Sequence, residues 1–227
     1  MATAVITGAS RGLGQALAEG LAEHGWALVI DGRDGDALDE AAASLRRAGT
    51  PVVAIAGDVT DPAHRRELVA AADRLGGIDL LVNNASVLGP SPQPALASYP
   101  LDVMRHVYEV NVVAPLALIQ EALPLLRNAA SGRIVNVTSD AAVEPYAGWG
   151  GYGSSKAALD QLSAILGAEE PAVRIWAVDP GDLRTRLHQE AFPGEDISDR
   201  PLPSSVVPAL LELIASDRPD GRVRVAS

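Results

Sequence analysis

The sequence predicts a doubly wound parallel sheet with helices on both faces, a three-layer α/β/α architecture. Short runs rich in valine and isoleucine alternate with alanine- and leucine-rich stretches of helical period along almost all of the 227 residues. A repeated order of strand, helix and parallel strand requires right-handed crossovers, which place helices on both faces of the sheet. Because no linker-like stretch interrupts this rhythm, we expect one domain over residues 1–227.

Seven apolar runs predict the strands of this sheet. Each of the first six leads into a helical stretch, or into a loop that precedes one. The predicted strands are Ala2–Thr7, Trp26–Asp31, Val52–Ala56, Ile78–Asn83, Arg133–Thr138, Val173–Val178 and Arg222–Val225.

Six stretches of helical period predict the covering helices. They are Gly12–Gly25, Asp36–Ala48, Pro62–Leu75, Pro100–Arg127, Gly153–Glu169 and Ser204–Ser216. Gly25 and Gly49 lie where glycine commonly ends a helix, and Asp61 before a proline is typical of a helix start. Pro115 and Pro124 predict that the fourth helix kinks or splits.

Composition excludes several classes of partner. The chain has 18 Lys plus Arg against 29 Asp plus Glu, a net charge of −11, so we expect it to bind neither nucleic acid nor an anionic membrane. It has no cysteine, and its four histidines are scattered, so no metal site is expected. We see no export signal and expect no apolar stretch long enough to span a membrane, which predicts a cytoplasmic location.

A glycine-rich turn follows the first predicted strand. It reads Thr7-Gly8-Ala9-Ser10-Arg11-Gly12-Leu13-Gly14 and opens a helix. Glycines let the backbone approach a pyrophosphate, which then lies at the positive end of the helix. A purely structural turn is the alternative, but the strand before it and the helix after it favour a dinucleotide site.

A second group of residues has the character of an acid–base site. Tyr152 and Lys156 are four residues apart on a predicted helix, so they share one face. A nearby ammonium would stabilise a phenolate and ease proton release from Tyr152. Lys156 is the single lysine of the chain. Ser139 follows a strand end, where a parallel sheet places ligands, although it could instead cap a turn.

Together these motifs resemble the short-chain dehydrogenase/reductase family. Besides T-G-x-x-x-G-x-G, the chain has Asn83-Asn84-Ala85 after the fourth strand, Y-x-x-x-K thirteen residues after Ser139, and P-G-x-x-x-T from Pro180. The resemblance extends from Thr3 to about Ser216. Where the family usually has N-N-A-G, this chain has Ser86 as the fourth residue.

The resemblance implies a Rossmann-type fold, a nicotinamide cofactor, a small carbonyl or alcohol substrate and a homodimer or homotetramer. It implies four catalytic residues: Asn111, Ser139, Tyr152 and Lys156, the lysine also holding the nicotinamide ribose. The implied cofactor contacts are Gly8, Ser10, Arg11, Gly12, Leu13, Gly14, Arg33, Asp58, Val59, Asn84, Ala85, Tyr152, Lys156, Pro180, Gly181, Leu183 and Thr185.

The end of the second strand bears on the choice of cofactor. NAD binders of this kind carry an acidic residue there for the ribose hydroxyls, whereas NADP binders carry arginine. Here Gly32 falls at the acidic position with Arg33 beside it, and Arg11 adds a second positive charge. We predict a preference for NADP(H), with NAD(H) as the alternative if Asp31 turns toward the ribose.

The sequence thus predicts NADPH-dependent reduction of a ketone or aldehyde, or the reverse oxidation. Two other functions stay open: a nicotinamide-binding sensor without redox turnover, and a lyase or cyclase on the same fold. The loops at residues 86–100, 140–151 and 182–201 are expected to shape the substrate pocket, with Tyr146 and Trp149 as an aromatic wall.

Overall fold

A computed structural model describes residues 1–225 of the chain. Its centre is one sheet of seven parallel strands in the order β3-β2-β1-β4-β5-β6-β7. The strands are β1 (Thr3–Ile6), β2 (Ala27–Gly32), β3 (Val52–Ala56), β4 (Leu80–Asn83), β5 (Gly132–Val137), β6 (Val173–Asp179) and β7 (Gly221–Arg224). The predicted fold class is confirmed, and each predicted strand overlaps an observed one.

Helices cover both faces of this sheet. They are α1 (Gly12–Glu23), α2 (Gly35–Arg46), α3 (Pro62–Arg74), α4 (Leu101–Tyr108), α5 (Ala114–Asn128), α6 (Gly150–Glu169), α7 (Arg186–Ala191) and α8 (Val207–Ala215). One apolar core lies between the sheet and α1, α2 and α8. The other lies between the sheet and α3, α5 and α6. Strands β1, β2 and β4 are buried along their whole length, which explains why their sequences are almost continuously apolar rather than alternating.

The predicted helix ends are confirmed at three positions. Gly25 and Gly49 have φ angles of +77° and +82° just beyond α1 and α2, a conformation that L side chains rarely adopt. Asp61 accepts a hydrogen bond from the Ala63 amide at 2.8 Å, with Pro62 as the first residue of α3. Local sequence therefore sets these boundaries.

The long fourth helix is split, as predicted, just before Pro115, whereas it continues through Pro124. A π-helical turn, Glu109–Val113, separates α4 from α5. Pro115 lies in the first turn of α5, directly after this π-helical turn, and cannot donate a helical hydrogen bond to it, and Pro124 lies within α5. A π-turn inserts one extra residue and bulges the helix. Here it directs the Asn111 side chain toward the loop after β4.

The same helical run corrects the expectation about apolar stretches. Leu101–Asn128 is 28 residues long with a mean hydropathy of 1.4, long and apolar enough to cross a membrane by composition alone. Of its most apolar window, 56% is buried inside the protein. Most of that apolar surface therefore packs in the core beside β4 and β5.

Two further boundaries differ from the sequence prediction. Helix α6 begins at Gly150, three residues before the predicted start, so Tyr152 lies in its first turn. Helix α7 was expected to be loop; Thr185 starts it by accepting a hydrogen bond from the His188 amide at 3.2 Å. A six-residue helix is too short to show a clear periodicity.

The order of the strands fixes where a ligand can bind. The strand order changes direction between β1 and β4: strands β2 and β3 lie on one side of β1, and β4 lies on its other side although two strands intervene in sequence. In open parallel sheets ligands bind outside the carboxyl ends of the strands at such a reversal. The loops after β1, β2, β4, β5 and β6 all open onto this edge.

Candidate active site

A cavity of about 710 Å³ lies at this edge of the sheet. It extends from the glycine-rich turn and the end of β2, past the ends of β4 and β5, to α7. Its volume falls within the range of sites that bind small molecules and cofactors. The two groups of residues that the sequence singled out, the glycine-rich turn and the tyrosine with its lysine, line this one cavity.

The glycine-rich turn is held against the start of the loop after β4. The Thr7 hydroxyl oxygen accepts hydrogen bonds from the amides of Asn84 and Ala85, both at 3.0 Å. In return the Asn84 amide group donates to the carbonyl oxygens of Thr7 and Gly8, at 2.9 and 3.0 Å. The ends of β1 and β4 are thereby fixed as one surface.

Gly12 and Gly14 of the turn are each required to be glycine, but for different structural reasons. Gly12 has a φ of +62° and faces Thr185 across the cavity, so a side chain would enter the space between them. Gly14 lies outside the cavity lining, although it was predicted to contact a cofactor. A Cβ there would lie 2.5 Å from both Asn84 Nδ2 and Gly8 O, so Gly14 permits helix and loop to pack closely.

Asp31, at the end of β2, lines the cavity but is bound to other groups of the protein. Its carboxylate accepts a hydrogen bond from the Gly8 amide at 2.6 Å, and its other oxygen lies 3.0 Å from Nε2 of His64. Asp31 is 1% exposed. The hydrogen bond with Asp31 raises the pKa of His64 above its ordinary value of 6.5. Both carboxylate oxygens of Asp31 thus already have a partner within the protein.

The two arginines near the end of β2, Arg11 and Arg33, differ in whether they have an ion-pair partner. Arg11, the second positive charge predicted here, lines the cavity and pairs with Asp34 at 2.7 Å. Asp34 also caps α2 by accepting from the Ala37 amide. Arg33 is exposed, lines the cavity, and has no ion-pair or hydrogen-bond partner among residues 1–225.

Asp58 follows β3 and lines the same end of the cavity with Val59. Burial of its carboxyl opposes ionisation, but hydrogen bonds from the amide and hydroxyl of Thr60, both 2.8 Å, lower its pKa below 3.8. The carboxylate is therefore ionised at neutral pH, and both Thr60 bonds go to its Oδ1 atom.

Tyr152 and Lys156 lie on one face of α6, both buried. The Lys156 ammonium donates to the Val137 carbonyl oxygen at 2.8 Å and lies 5.5 Å from the Tyr152 ring centroid. Burial lowers the pKa of Lys156 to about 8. Burial also raises the pKa of Tyr152, while the hydroxyls of Ser86 and Ser139 lower it. The net direction for Tyr152 is opposite to the one expected from Lys156 alone, because desolvation of the phenolate outweighs its neighbours.

Ser139 combines the two roles that its sequence position allowed. Its hydroxyl oxygen accepts from the Ala141 amide at 3.2 Å and so caps a short 3₁₀ turn. The hydroxyl donates to Asp140 at 3.0 Å. Ser139 also lines the cavity beside Tyr152. A rotation of the hydroxyl away from Asp140 would aim its proton at a ligand oxygen.

Asn111 lies behind the cavity lining, at the π-turn, and is 1% exposed. Its side-chain oxygen accepts from the Val87 amide at 2.9 Å and from the Ser86 hydroxyl at 3.1 Å. Its amide group donates to Val87 O and to the Ser155 hydroxyl, at 2.9 and 3.0 Å. Asn111 thus ties the loop after β4 to α6, and reaches the cavity through Ser86.

The other end of the cavity is apolar and aromatic. Trp149 contacts the rings of Tyr152 and Phe192, with centroids 5.9 and 5.8 Å apart. Tyr146 contacts Trp149 from outside and is 46% exposed, so Trp149 alone of the two forms cavity wall. Leu88 and Leu187 complete this apolar end. It offers space for the substrate side of a reaction.

Most residues predicted for the site meet in the cavity. All of the predicted catalytic and cofactor residues except Gly14 and Asn111 line it. The loops at residues 86–100 and 182–201, predicted to shape the pocket, contribute Leu88 and Leu187 to its lining, whereas sequence reasoning missed Val103 and His106 on α4. It also missed the contact of Ser86 with Asn111, for which the departure from N-N-A-G was the available signal.

Comparison with known proteins identifies the family of this chain. The family model described as short chain dehydrogenase matches residues 2–196. The chain belongs to this family. It is 38% identical over 196 residues to the rhamnolipids biosynthesis 3-oxoacyl-[acyl-carrier-protein] reductase of Pseudomonas aeruginosa, which covers 81% of this chain and 73% of that protein. The predicted family, a class of NAD(P)-dependent dehydrogenases and reductases, is confirmed.

Solved structures of the family have the same fold. A short chain dehydrogenase from Pseudomonas syringae superposes with a TM-score of 0.92 at 32% identity, over 98% of this chain and 93% of that one. A short chain dehydrogenase from Shigella flexneri 2a, complexed with NADP, gives a TM-score of 0.91 at 26% identity, over 99% and 96% of the two chains.

Proposed function

We propose that this short-chain dehydrogenase uses NADP(H) to reduce a ketone or an aldehyde to an alcohol, or catalyses the reverse oxidation. One observation carries the proposal: a single cavity joins the glycine-rich turn to Tyr152, Ser139 and Lys156. The similarity to a 3-oxoacyl reductase supports a carbonyl substrate. The carbonyl compound itself is left open, as are a homo-oligomeric state and a cytoplasmic location, which we carry over as expectations from the sequence.

The residues of the cavity fit a dinucleotide. Amides at the start of α1 and the side-chain-free Gly12 leave room for a pyrophosphate between the turn and Thr185. Asp58 is placed to accept a hydrogen bond from an adenine amine. Pro180, Gly181, Leu183 and Thr185 also line the cavity, and the resemblance to the family implies that they would contact the nicotinamide end.

Arg33 supports the choice of NADP(H). Its guanidinium is exposed at the cavity and unpaired within the described part of the chain, so it is available to a 2′-phosphate. Asp31, the residue that would favour NAD(H), is buried and bound to Gly8 and His64. The solved relative complexed with NADP supports the same choice.

Bound NADPH supplies the hydride. The chain supplies the proton: the Tyr152 phenol donates it to the substrate oxygen, and the Ser139 hydroxyl holds that oxygen by a hydrogen bond. Lys156 places a positive charge beside the phenolate that is left, and its two N–H groups not bonded to Val137 are free to hold a cofactor ribose. Trp149 and Leu88 exclude water from the apolar end.

The decisive experiment measures NADPH and NADH oxidation by the purified protein with a panel of ketones, aldehydes and quinones. We expect turnover that the Tyr152→Phe variant lowers at least a hundredfold while it keeps its affinity for NADPH. Tyr108→Phe is the matched control, because it also loses a phenol hydroxyl but lies on α4 outside the cavity lining.

Each alternative has its own signature. Cofactor binding without turnover on the whole panel would support the sensor. A product formed without net NADPH consumption would support a lyase or cyclase. A Tyr152→Phe variant that keeps a tenth or more of the activity would overturn the assigned proton donor.

A further inference from the structure

Arg222, on β7, reaches across the carboxyl edge of the sheet to three acceptors. Its Nε atom donates to Asp160 on α6 at 3.0 Å. One terminal nitrogen donates to the Ser139 carbonyl oxygen at 2.9 Å and to Asp179 at 3.0 Å. These partners come from three separate elements, so a single side chain joins the end of β5, the end of β6 and the face of α6.

The carboxylates that Arg222 binds are shielded from water. The side chain of Asp179 is 2% exposed and that of Asp160 is 16% exposed. A shielded carboxylate without a partner is costly, and a planar guanidinium can satisfy two of them at once. Arg224, two residues on, lies 4.0 Å from the same Asp179 but is 63% exposed. Arg222 is therefore the close partner and Arg224 the distant one.

Each of the three partners is adjacent to a cavity residue. The second oxygen of Asp179 accepts from the Gly181 amide at 2.9 Å, which fixes the turn that lines the nicotinamide end. Asp160 lies one helical turn after Lys156, and its charge favours the ammonium form of that lysine. The Ser139 carbonyl belongs to the residue whose hydroxyl faces Tyr152.

We infer that Arg222 is a positioning residue of the active site, which fixes Ser139 and the Asp179–Gly181 turn and balances the charge of Asp160 beside Lys156. The importance of Arg222 for catalysis rests on the proposed function. The effect of Arg222 on the pKa of Lys156 does not rest on it, and that effect can be measured without turnover.

The charged groups around Lys156 determine in which direction its pKa should move when one of them is removed. Asp160 on the same helix, Asp179 at the end of β6 and Asp140 after β5 are the acidic groups on this side of the site, and Arg222 and Arg224 on β7 are the basic ones. Removal of Arg222 leaves acidic charge uncompensated, so the pKa of Lys156 rises. Removal of the Asp160 charge lowers it. A merely structural role of Arg222 predicts neither shift.

The single lysine makes this test direct. Protein labelled with [13C]lysine gives one side-chain signal, which titrates with Lys156. We expect a midpoint near pH 8 in the wild type, a higher one in Arg222→Gln and a lower one in Asp160→Asn. Arg224→Gln is the matched control, since it removes an equal charge from the same strand, and it should titrate close to the wild type. Arg222→Lys keeps the charge but not the three hydrogen bonds; because it adds a second lysine, it serves only the kinetic comparison.

Kinetics separate the positioning role from the charge. We expect kcat to fall about tenfold or more in both Arg222→Gln and Arg222→Lys, and to stay within twofold of the wild type in Arg224→Gln. Equal lysine midpoints in Arg222→Gln and Arg224→Gln, or equal kcat values, would overturn the inference. If Arg222→Gln does not fold, Arg222→Lys carries the kinetic comparison and Asp160→Asn carries the lysine titration. Should the wild type itself show no Tyr152-dependent turnover, the proposed function fails and the lysine titration still decides on Arg222.

Discussion

The ammonium nitrogen of Lys156 lies 5.5 Å from the centroid of the Tyr152 ring, one helical turn away on α6. Both side chains are almost fully buried, at 2% and 6% exposure. Burial raises the pKa of the tyrosine and lowers that of the lysine to about 8. It thus favours the uncharged form of each residue, whereas the sequence alone suggests an ammonium beside a readily formed phenolate.

Replacement of Lys156 by methionine should stabilise the protein while it abolishes turnover. An unfolded lysine keeps its proton up to about pH 10.5 and the folded one releases it near pH 8, so the wild type gains stability as pH rises between these values. Below pH 8 the variant should be more stable by up to about 3 kcal/mol, less the lost hydrogen bond to Val137. Urea unfolding at pH 7 and pH 10 measures this. A variant less stable than the wild type at pH 7 would contradict it.

Ser86→Gly should slow the reaction. It restores the glycine usual in the family but removes a hydroxyl that bonds Asn111 at 3.1 Å and lowers the pKa of Tyr152. We expect kcat to fall by about three- to tenfold, the range of one weak hydrogen bond. Ser154→Ala on α6 is the control, because its hydroxyl bonds only the helix carbonyls of Gly150 and Gly151. Equal kcat values in the two variants would show that Ser86 has no part in the chemistry.

Arg33→Ala should reduce affinity for NADPH about tenfold, equal to about 1.4 kcal/mol, and leave NADH binding unchanged. The reason is the loss of a charge-assisted bond to the 2′-phosphate, which NADH lacks. Titration of cofactor fluorescence gives both dissociation constants. Arg66→Ala, which removes an exposed charge on α3 away from the cavity, controls for net charge. An equal loss for both cofactors would argue against a 2′-phosphate site at Arg33.

The pair of His64 and Asp31 should make stability fall at alkaline pH. The pKa of His64 is raised above 6.5 by Asp31, so the contribution of the charged pair is complete below pH 6.5 and is lost as pH rises through the folded pKa. His64→Gln keeps a hydrogen-bond donor but does not titrate, so its stability should not show this fall. The check is the free energy of unfolding of both proteins from pH 6 to pH 9. Parallel curves would mean that the pKa of His64 is the same in the folded and the unfolded protein.

Much of this fold could be predicted from sequence because the residues that begin, end and bury its strands and helices act locally. The continuous apolar strands, the proline after Asp61 and the glycine after α1 each act within a few residues. The contacts that could not be predicted are distant ones. Arg222 meets Ser139 across 83 positions and Asp31 meets His64 across 33, and side chains of ordinary composition form both contacts. The pairing of Arg11 with Asp34 likewise depends on the approach of two loops.

Thr7 has a consequence for how the protein folds. Its hydroxyl binds the amides of Asn84 and Ala85, which lie 77 and 78 positions further along the chain. Closing contacts of such long sequence separation costs more chain entropy than closing local ones. We therefore expect the glycine-rich turn and the loop after β4 to come together late during refolding. Cofactor added to the refolding chain should trap the finished protein and slow its unfolding, without speeding the steps that precede the meeting of β1 and β4.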